Sequence, residues 1–95
     1  MVVMAMSQTL KAIADPVRRQ ILELLREKSY AAGDIASKFD LSQATVSYHL
    51  KLLKKADLIR ERKEKNYIYY ELNATVFEEV LTWIYSLGIG GNNDD

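Results

Sequence analysis

The 95-residue chain contains no cysteine. That absence removes disulfides, thiolate metal sites, iron–sulfur ligation, cysteine nucleophiles and any cysteine redox switch, and the compartment that fits it is a reducing cytoplasm. Long apolar runs are missing as well: no stretch reaches the roughly 18 residues that a membrane span needs. The opening MVVMAM is apolar but short, without the basic start and small-residue cleavage site of a secretory signal. Proline occurs once and glycine four times, and no glycine-rich phosphate motif is among them. Histidine also occurs once, with no convergent nucleophile or carboxylate that would make a catalytic grouping, so an enzyme is not expected and no cofactor is implied. There are no internal repeats and no interdomain linkers. A single domain of this size has a marginal core, which makes association an expectation.

Net charge is also missing, since 13 basic residues balance 13 acidic ones. Zero net charge argues at first against a nucleic-acid partner, because phosphate contacts dominate such binding. The distribution reverses that impression. Residues 41–66 hold seven basic residues (Lys51, Lys54, Lys55, Arg60, Arg62, Lys63, Lys65) against Asp57, Glu61 and Glu64, whereas everything from Tyr67 onward carries five acids and no Lys or Arg. Charge sorted by region suggests one surface for DNA and another that keeps away from it.

The segment AAGDIASKFDLSQATVSYHLKLLKK, residues 31–55, reads as two short helices joined by a tight corner. Ile35, Phe39, Leu41, Val46 and Leu50 recur where two such helices touch, and Ala36 is the small residue at their closest crossing. Ser42 is placed to cap the second helix. At about 3.6 residues per turn, Gln43, Ala44, Thr45, Ser47, Tyr48 and Lys51 fall on the opposite, outward face. Short polar side chains there are odd for an ordinary solvated helix, which favours Glu, Lys and Arg, and they suit a helix made for a DNA groove. The competing reading is two core helices meeting at a corner.

Upstream, Ser7, Leu10, Ile13 and Ala14 suggest a first helix, and Asp15-Pro16 supplies an N-cap and a first helical residue for the next. That second helix turns Val17, Ile21, Leu22, Leu24 and Leu25 inward and Arg18, Arg19, Glu23 and Arg26 outward, and Lys28-Ser29-Tyr30 makes a connection. Past Asp57 the period becomes alternating. Leu58–Arg62 and Tyr67–Leu72, joined by Lys63-Glu64-Lys65-Asn66, predict a β-hairpin with Ile68, Tyr70 and Leu72 on one face and Tyr67, Tyr69 and Glu71 on the other. Directly after a recognition helix, such a hairpin is a wing; the plainer reading is an edge hairpin whose lysines keep it soluble. Asn73 or Thr75 caps a last helix, Val76 to Leu87, which carries too many apolar residues for one stripe. Part of it should therefore face a second copy of the chain. The fold class expected is mainly α with a β-hairpin wing, five helices and one two-stranded hairpin in the order helix, helix, helix, helix, strand, strand, helix. It spans residues 1–88 as a winged helix-turn-helix DNA-binding and dimerisation domain, with residues 89–95 an acidic, Gly-rich tail expected to be disordered.

This order, together with LKAIADPVRRQILELL, DIASKFDLSQATVSYHLKLLKKADLI and YYELN, resembles the arsenical-resistance repressor (ArsR) family of bacterial winged-helix regulators, from about Leu10 to Leu87. The YIYYELN end and the tryptophan-bearing last helix are most similar to its sporulation-delay autorepressor branch. The resemblance implies a transcriptional repressor that blocks a promoter as a homodimer, joined through its first and last helices at Leu10, Val76, Val80, Trp83, Ile84 and Leu87. It also implies recognition helices in successive major grooves of an imperfect palindrome. Carried over residue by residue, Gln43 reads a base edge, Ala44 or the Thr45 methyl touches thymine, and Ser42, Ser47, Tyr48 and Lys51 hold phosphates. Arg62, Lys63 and Lys65 match the family's backbone-contacting wing positions. Many relatives have glycine near Lys65, where Asn66 is the residue here able to take a left-handed conformation. Family metal sites use a cysteine pair at positions corresponding to Ala31–Asp34, or His, Asp and Glu on the last helix. Neither set is present, so metal-independent action is expected. His49 falls in the family's SxHL pattern at an inward position, where it packs and hydrogen-bonds between helices. Analogy with the autorepressor branch adds a membrane protein that sequesters the dimer. The competing class is a winged-helix protein-interaction module that has lost DNA binding.

Overall fold

The computed structural model describes residues 2–89, with side chains from residue 6 onward; the tail expected at 89–95 lies, from residue 90, outside the described residues. The order is α1 (Val2–Ile13), α2 (Pro16–Leu25), β1 (Tyr30–Ala31), α3 (Ala32–Phe39), α4 (Gln43–Lys55), β2 (Ile59–Glu64), β3 (Tyr67–Leu72) and α5 (Ala74–Ser86). Five helices and a hairpin are present as expected, and a short strand joins them. Tyr30-Ala31, read from sequence as connection, pairs antiparallel with Tyr70 and Tyr69 and makes a three-stranded sheet in the order β1-β3-β2.

Helix ends follow local chemistry. At the N-cap of α2 the Asp15 carboxylate accepts from the Arg18 backbone N–H at 3.0 Å, and Pro16 gives up an N–H that no carbonyl would have met. That N–H, more than the neighbouring charges of Arg18 and His49, holds the Asp15 carboxyl below its ordinary pKa. No glycine closes α1. Instead the first two arginines of α2 reach back to its last carbonyls: Arg18 to Ala12 (2.7 Å) and Lys11 (3.3 Å), Arg19 to Ile13 (2.8 Å) and Ala14 (3.0 Å). The outward position expected for Arg18 is therefore corrected: it is half-buried and also meets His49 Nδ1 at 3.3 Å. At the end of α4, Asp57 takes a left-handed φ of 61°, and the bonds Asp57 N–H to Lys54 O and Leu58 N–H to Leu53 O form a Schellman closure.

The core lies between α2, α3, α4 and the base of the sheet. Ile21, Ile35, Val46, Leu53, Leu58 and Ile59 are the largest fully buried side chains, with Leu22, Leu25, Ala36 and Leu50 around them. Truncating one of the buried Leu or Ile residues to Ala costs about 2–5 kcal/mol. Asn73 stands at the N-cap position of α5 but does not cap it; its side-chain amide donates to Asp57 O at 3.0 Å, tying the start of α5 to the end of α4. The helix begins two residues before the expected Val76.

Candidate nucleic-acid interface

The helix-turn-helix is built where the sequence periodicity put it. Ile35 and Ala36 on α3 and Val46 and Leu50 on α4 are buried against each other's helix, with Phe39 and Leu41 half-buried at the corner. Asp40 makes the corner by taking a left-handed φ of 54°, and Leu41 N–H closes back on Ala36 O at 3.1 Å. Ser42 then caps α4. Its Oγ accepts from the Thr45 N–H at 3.1 Å and lies 2.9 Å from the Thr45 hydroxyl. That pairing commits Ser42 to the cap and ties up the Thr45 hydroxyl.

Ser42, Gln43, Ala44, Thr45, Ser47, Tyr48 and Lys51 are all exposed and share one face of the first three turns of α4. The Gln43 amide lies across the first turn of α3: a Cβ placed on Gly33 would stand 3.2 Å from Gln43 Nε2. Glycine at 33 thus leaves room for the Gln43 side chain to lie back on the helix or swing forward. Beneath this face His49 is buried, its ring edge-on to Tyr48 at 5.5 Å and its Nδ1 against Arg18, the inward packing role expected of it.

The wing runs six residues on each side of a two-residue turn, with Glu64 opposite Tyr67, so β2 ends two residues later than the sequence indicated. The turn is Lys65-Asn66, and it is Lys65, not Asn66, that carries the left-handed φ, 58°. A positive φ at the first central position of such a turn is glycine's place, so Lys65 holds a mildly strained conformation there. Lys63 and Lys65 are exposed, and no carboxylate pairs with them among the described residues. Arg62 differs. It pairs with Glu64 and with Glu71 (3.5 Å), donates to Ser29 Oγ at 2.9 Å and covers the Tyr69 ring at 5.2 Å. These contacts, the Glu64 hydrogen bond foremost, raise its already high pKa and clip the wing to the connection before β1.

Wing and recognition face are also joined to each other. Lys54 on α4 meets Glu61 on β2 at 3.0 Å, and the Tyr70 hydroxyl donates to the same carboxylate at 3.4 Å. Burial first, and then the Glu61 charge, pushes the Tyr70 pKa up. In the sequence Lys54 stands only as part of a basic run; the signal for its partner is Glu61, the one acid within the alternating Leu58–Arg62.

On the far side, α5 has no buried residue. Val76 packs partly against the core; Val80 and Ile84 line an apolar groove of about 330 Å³ with Thr9, Ile13, Leu58 and Phe77; Leu10, Trp83 and Leu87 are exposed. Among the described residues, no three His, Cys, Asp or Glu side chains are grouped to hold a metal, and no helix is long and apolar enough to cross a membrane.

Comparison with known proteins fits this geometry. The family model described as "Bacterial regulatory protein, arsR family" matches residues 15–61, from the N-cap of α2 into the wing. The chain is 42% identical over 89 residues to the transcriptional repressor SdpR of Bacillus subtilis, covering 94% of this chain and 99% of that one, and 34% identical over 76 residues to an arsenical resistance operon repressor of Staphylococcus aureus, covering 80% and 73%. Among solved structures it is similar to the homodimeric winged helix-turn-helix DNA-binding domain Mb0332 of Mycobacterium bovis, with a TM-score of 0.77, 25% identity, and coverage of 99% of this chain and 89% of that one. The chain belongs to the arsR family of bacterial regulatory proteins and has the family's winged helix-turn-helix fold.

Proposed function

We propose that this chain is a homodimeric, sequence-specific repressor of transcription that occupies an imperfect palindrome in double-stranded DNA, in the cytoplasm and without a metal effector. The observation that carries this reading is the exposed Ser42–Lys51 face of α4, lined with short polar groups and flanked by a wing whose Lys63 and Lys65 have no acidic partner among the described residues. Gln43 supplies the base contact, with adenine its bidentate partner. Lys51, Ser47, Tyr48, Lys63 and Lys65 supply phosphate contacts, and Arg62 braces the wing. The half-covered α5, with Leu10, Val80, Trp83, Ile84 and Leu87 along its open side, supports a dimer that sets two such faces about 34 Å apart, one duplex turn.

The relatives support repression by their names, and a chain without cysteine or a convergent ligand set suits action without metal. A protein-interaction module would present large apolar groups on the recognition face, where only Tyr48 and Ala44 are apolar. By analogy with the autorepressor branch, a membrane protein that sequesters the dimer releases the operator; operator occupancy that stays unchanged in its presence removes this step.

The deciding experiment selects bound fragments from a random DNA pool and then compares variants on the selected and on unrelated duplexes. Gln43→Ala should lose about 1–3 kcal/mol on the selected site and little elsewhere, whereas Lys51→Ala should weaken both alike. Equal losses for Gln43→Ala on both duplexes remove the base-reading assignment, and a pool that yields no enriched sequence removes the function.

A further inference from the structure

The molecule has a second basic feature, on the side of α4 away from the reading end. A cavity of about 360 Å³ opens where the end of α1, the start of α2 and the end of α4 meet, lined by Lys11, Arg18 and Lys55 and by the apolar Ala12, Leu52 and Ala56. Gln8 completes the wall, and no acidic residue lines it.

Arg18 is what makes this cavity more than a charged dent. The guanidinium is half-buried and has no carboxylate at ion-pairing distance among the described residues; Asp15, one turn away, uses its own carboxylate on the Arg18 backbone N–H. Two carbonyls and the His49 ring fix it in place, taking three of its five N–H donors. One donor remains on each terminal nitrogen, so two coplanar N–H groups are left to donate to an anion. A partly desolvated cation with spare donors, flanked by two ammonium groups and with the nearby Asp15 carboxylate engaged by the Arg18 backbone N–H, favours a doubly charged partner. The apolar wall beside it favours a partner with a carbon skeleton, and the volume is that of a small-molecule site.

We propose that this cavity binds a small organic phosphate, its phosphate on Lys11, Arg18 and Lys55 and its carbon portion on Ala12, Leu52 and Ala56. Occupancy reaches the recognition helix through the Arg18–His49 contact, because an anion on the spare donors draws the guanidinium toward itself and lengthens its 3.3 Å bond to the imidazole. The same phosphate chemistry is offered by a DNA backbone; Lys55 stands about 18 Å along α4 from Gln43, at the opposite end of the helix, which favours a separate ligand. The binding claim is independent of the proposed function; only its effect on operator affinity rests on that reading.

The test is an NMR titration of the full chain with phenyl phosphate, with inorganic phosphate, and with sodium chloride at matched ionic strength. Phenyl phosphate should give saturable shifts at Lys11, Arg18, Lys55 and the His49 ring with a Kd near or below about 1 mM, inorganic phosphate weaker ones, and chloride none that saturate. Lys11→Gln and Lys55→Gln alter exposed residues and should each weaken phenyl phosphate about fivefold without lowering the melting temperature. Arg18→Lys, which keeps the charge and loses the coplanar donors, should weaken it further. Linear shifts that match chloride, or undiminished binding in Lys55→Gln, overturn the site. If operator DNA displaces phenyl phosphate, and Lys55→Gln weakens the operator complex in phosphate-free buffer, the cavity belongs to the DNA backbone and the small-molecule assignment is overturned. Saturable binding with unchanged operator affinity overturns the coupling through His49. Phenyl phosphate binding in a chain that selects no DNA sequence counts against the repressor reading and leaves the cavity assignment standing.

Discussion

Replacing Arg18 by alanine removes a single side chain that ends one helix, begins another and steadies a third. The guanidinium holds Ala12 O at 2.7 Å and Lys11 O and His49 Nδ1 at 3.3 Å each. A hydrogen bond from a charged donor is worth about 1.5–3 kcal/mol net at good geometry. One of these is short and two are long, and Ala12 is buried, so its orphaned carbonyl has little access to water. The expected loss is about 2–3 kcal/mol, or roughly 10–20 °C in Tm for a domain of this size. Arg19→Ala is the internal control: Arg19 caps the next two carbonyls of the same helix end from an exposed position, where water replaces it, and should cost at most about 1 kcal/mol. Urea melts followed by far-UV circular dichroism at one fixed protein concentration measure both, the fixed concentration being needed for a chain proposed to dimerise. A cycle with His49→Ala should return a coupling of about 0.5–1 kcal/mol. Equal losses for Arg18→Ala and Arg19→Ala, or no coupling to His49, refute the bridging role.

Asp15→Ala should cost about 1 kcal/mol through the lost cap, measured by the same melts. Because the folded-state pKa of Asp15 is depressed, its contribution is complete above the ordinary carboxylate value near 3.8 and disappears as pH falls through the lowered folded value; the gap between wild type and Asp15→Ala should close in acid. Gly33→Ala should stabilise α3 by up to about 1 kcal/mol while displacing the Gln43 amide, so selection from a random pool should return an altered preference from a more stable protein. Val80→Glu puts a charge into the groove of α5 and should leave a monomer in sedimentation at concentrations where the wild type is dimeric; an unchanged dimer places the interface elsewhere.

What could be read in advance had a period or a cap behind it. Ile35, Ala36, Val46 and Leu50 repeat at helical spacing, Asp15-Pro16 is a start signal in two residues, and Ile68, Tyr70 and Leu72 alternate; all lie in the elements expected of them. β1 escaped because two residues carry no periodicity, and its partner strand is some forty positions away. The sequence indicates a wing turn four residues wide because Lys63 and Glu64 look like loop residues. Pairing with Ile68 and Tyr67 draws them into β2 and presses Lys65 into glycine's conformation. Arg18 was the larger miss. On a helix an arginine beside another arginine reads as solvent-facing, and only the return of α1 over α2, which no local pattern encodes, gives it carbonyls to bind. Asn73 was legible as a helix start, though the partner of its amide, Asp57 O, was not.

The Lys54–Glu61–Tyr70 junction, with Arg62 clipped to Ser29 on the opposite face of the sheet, has a consequence for how this molecule meets a duplex. Leu58 and Ile59 bury the root of the hairpin in the core and this exposed junction adds a tie further out, so the mutual angle is largely set during folding and docking has less left to immobilise. Ions that loosen this tie would let the arms drift apart, adding to the salt sensitivity expected of the proposed phosphate contacts.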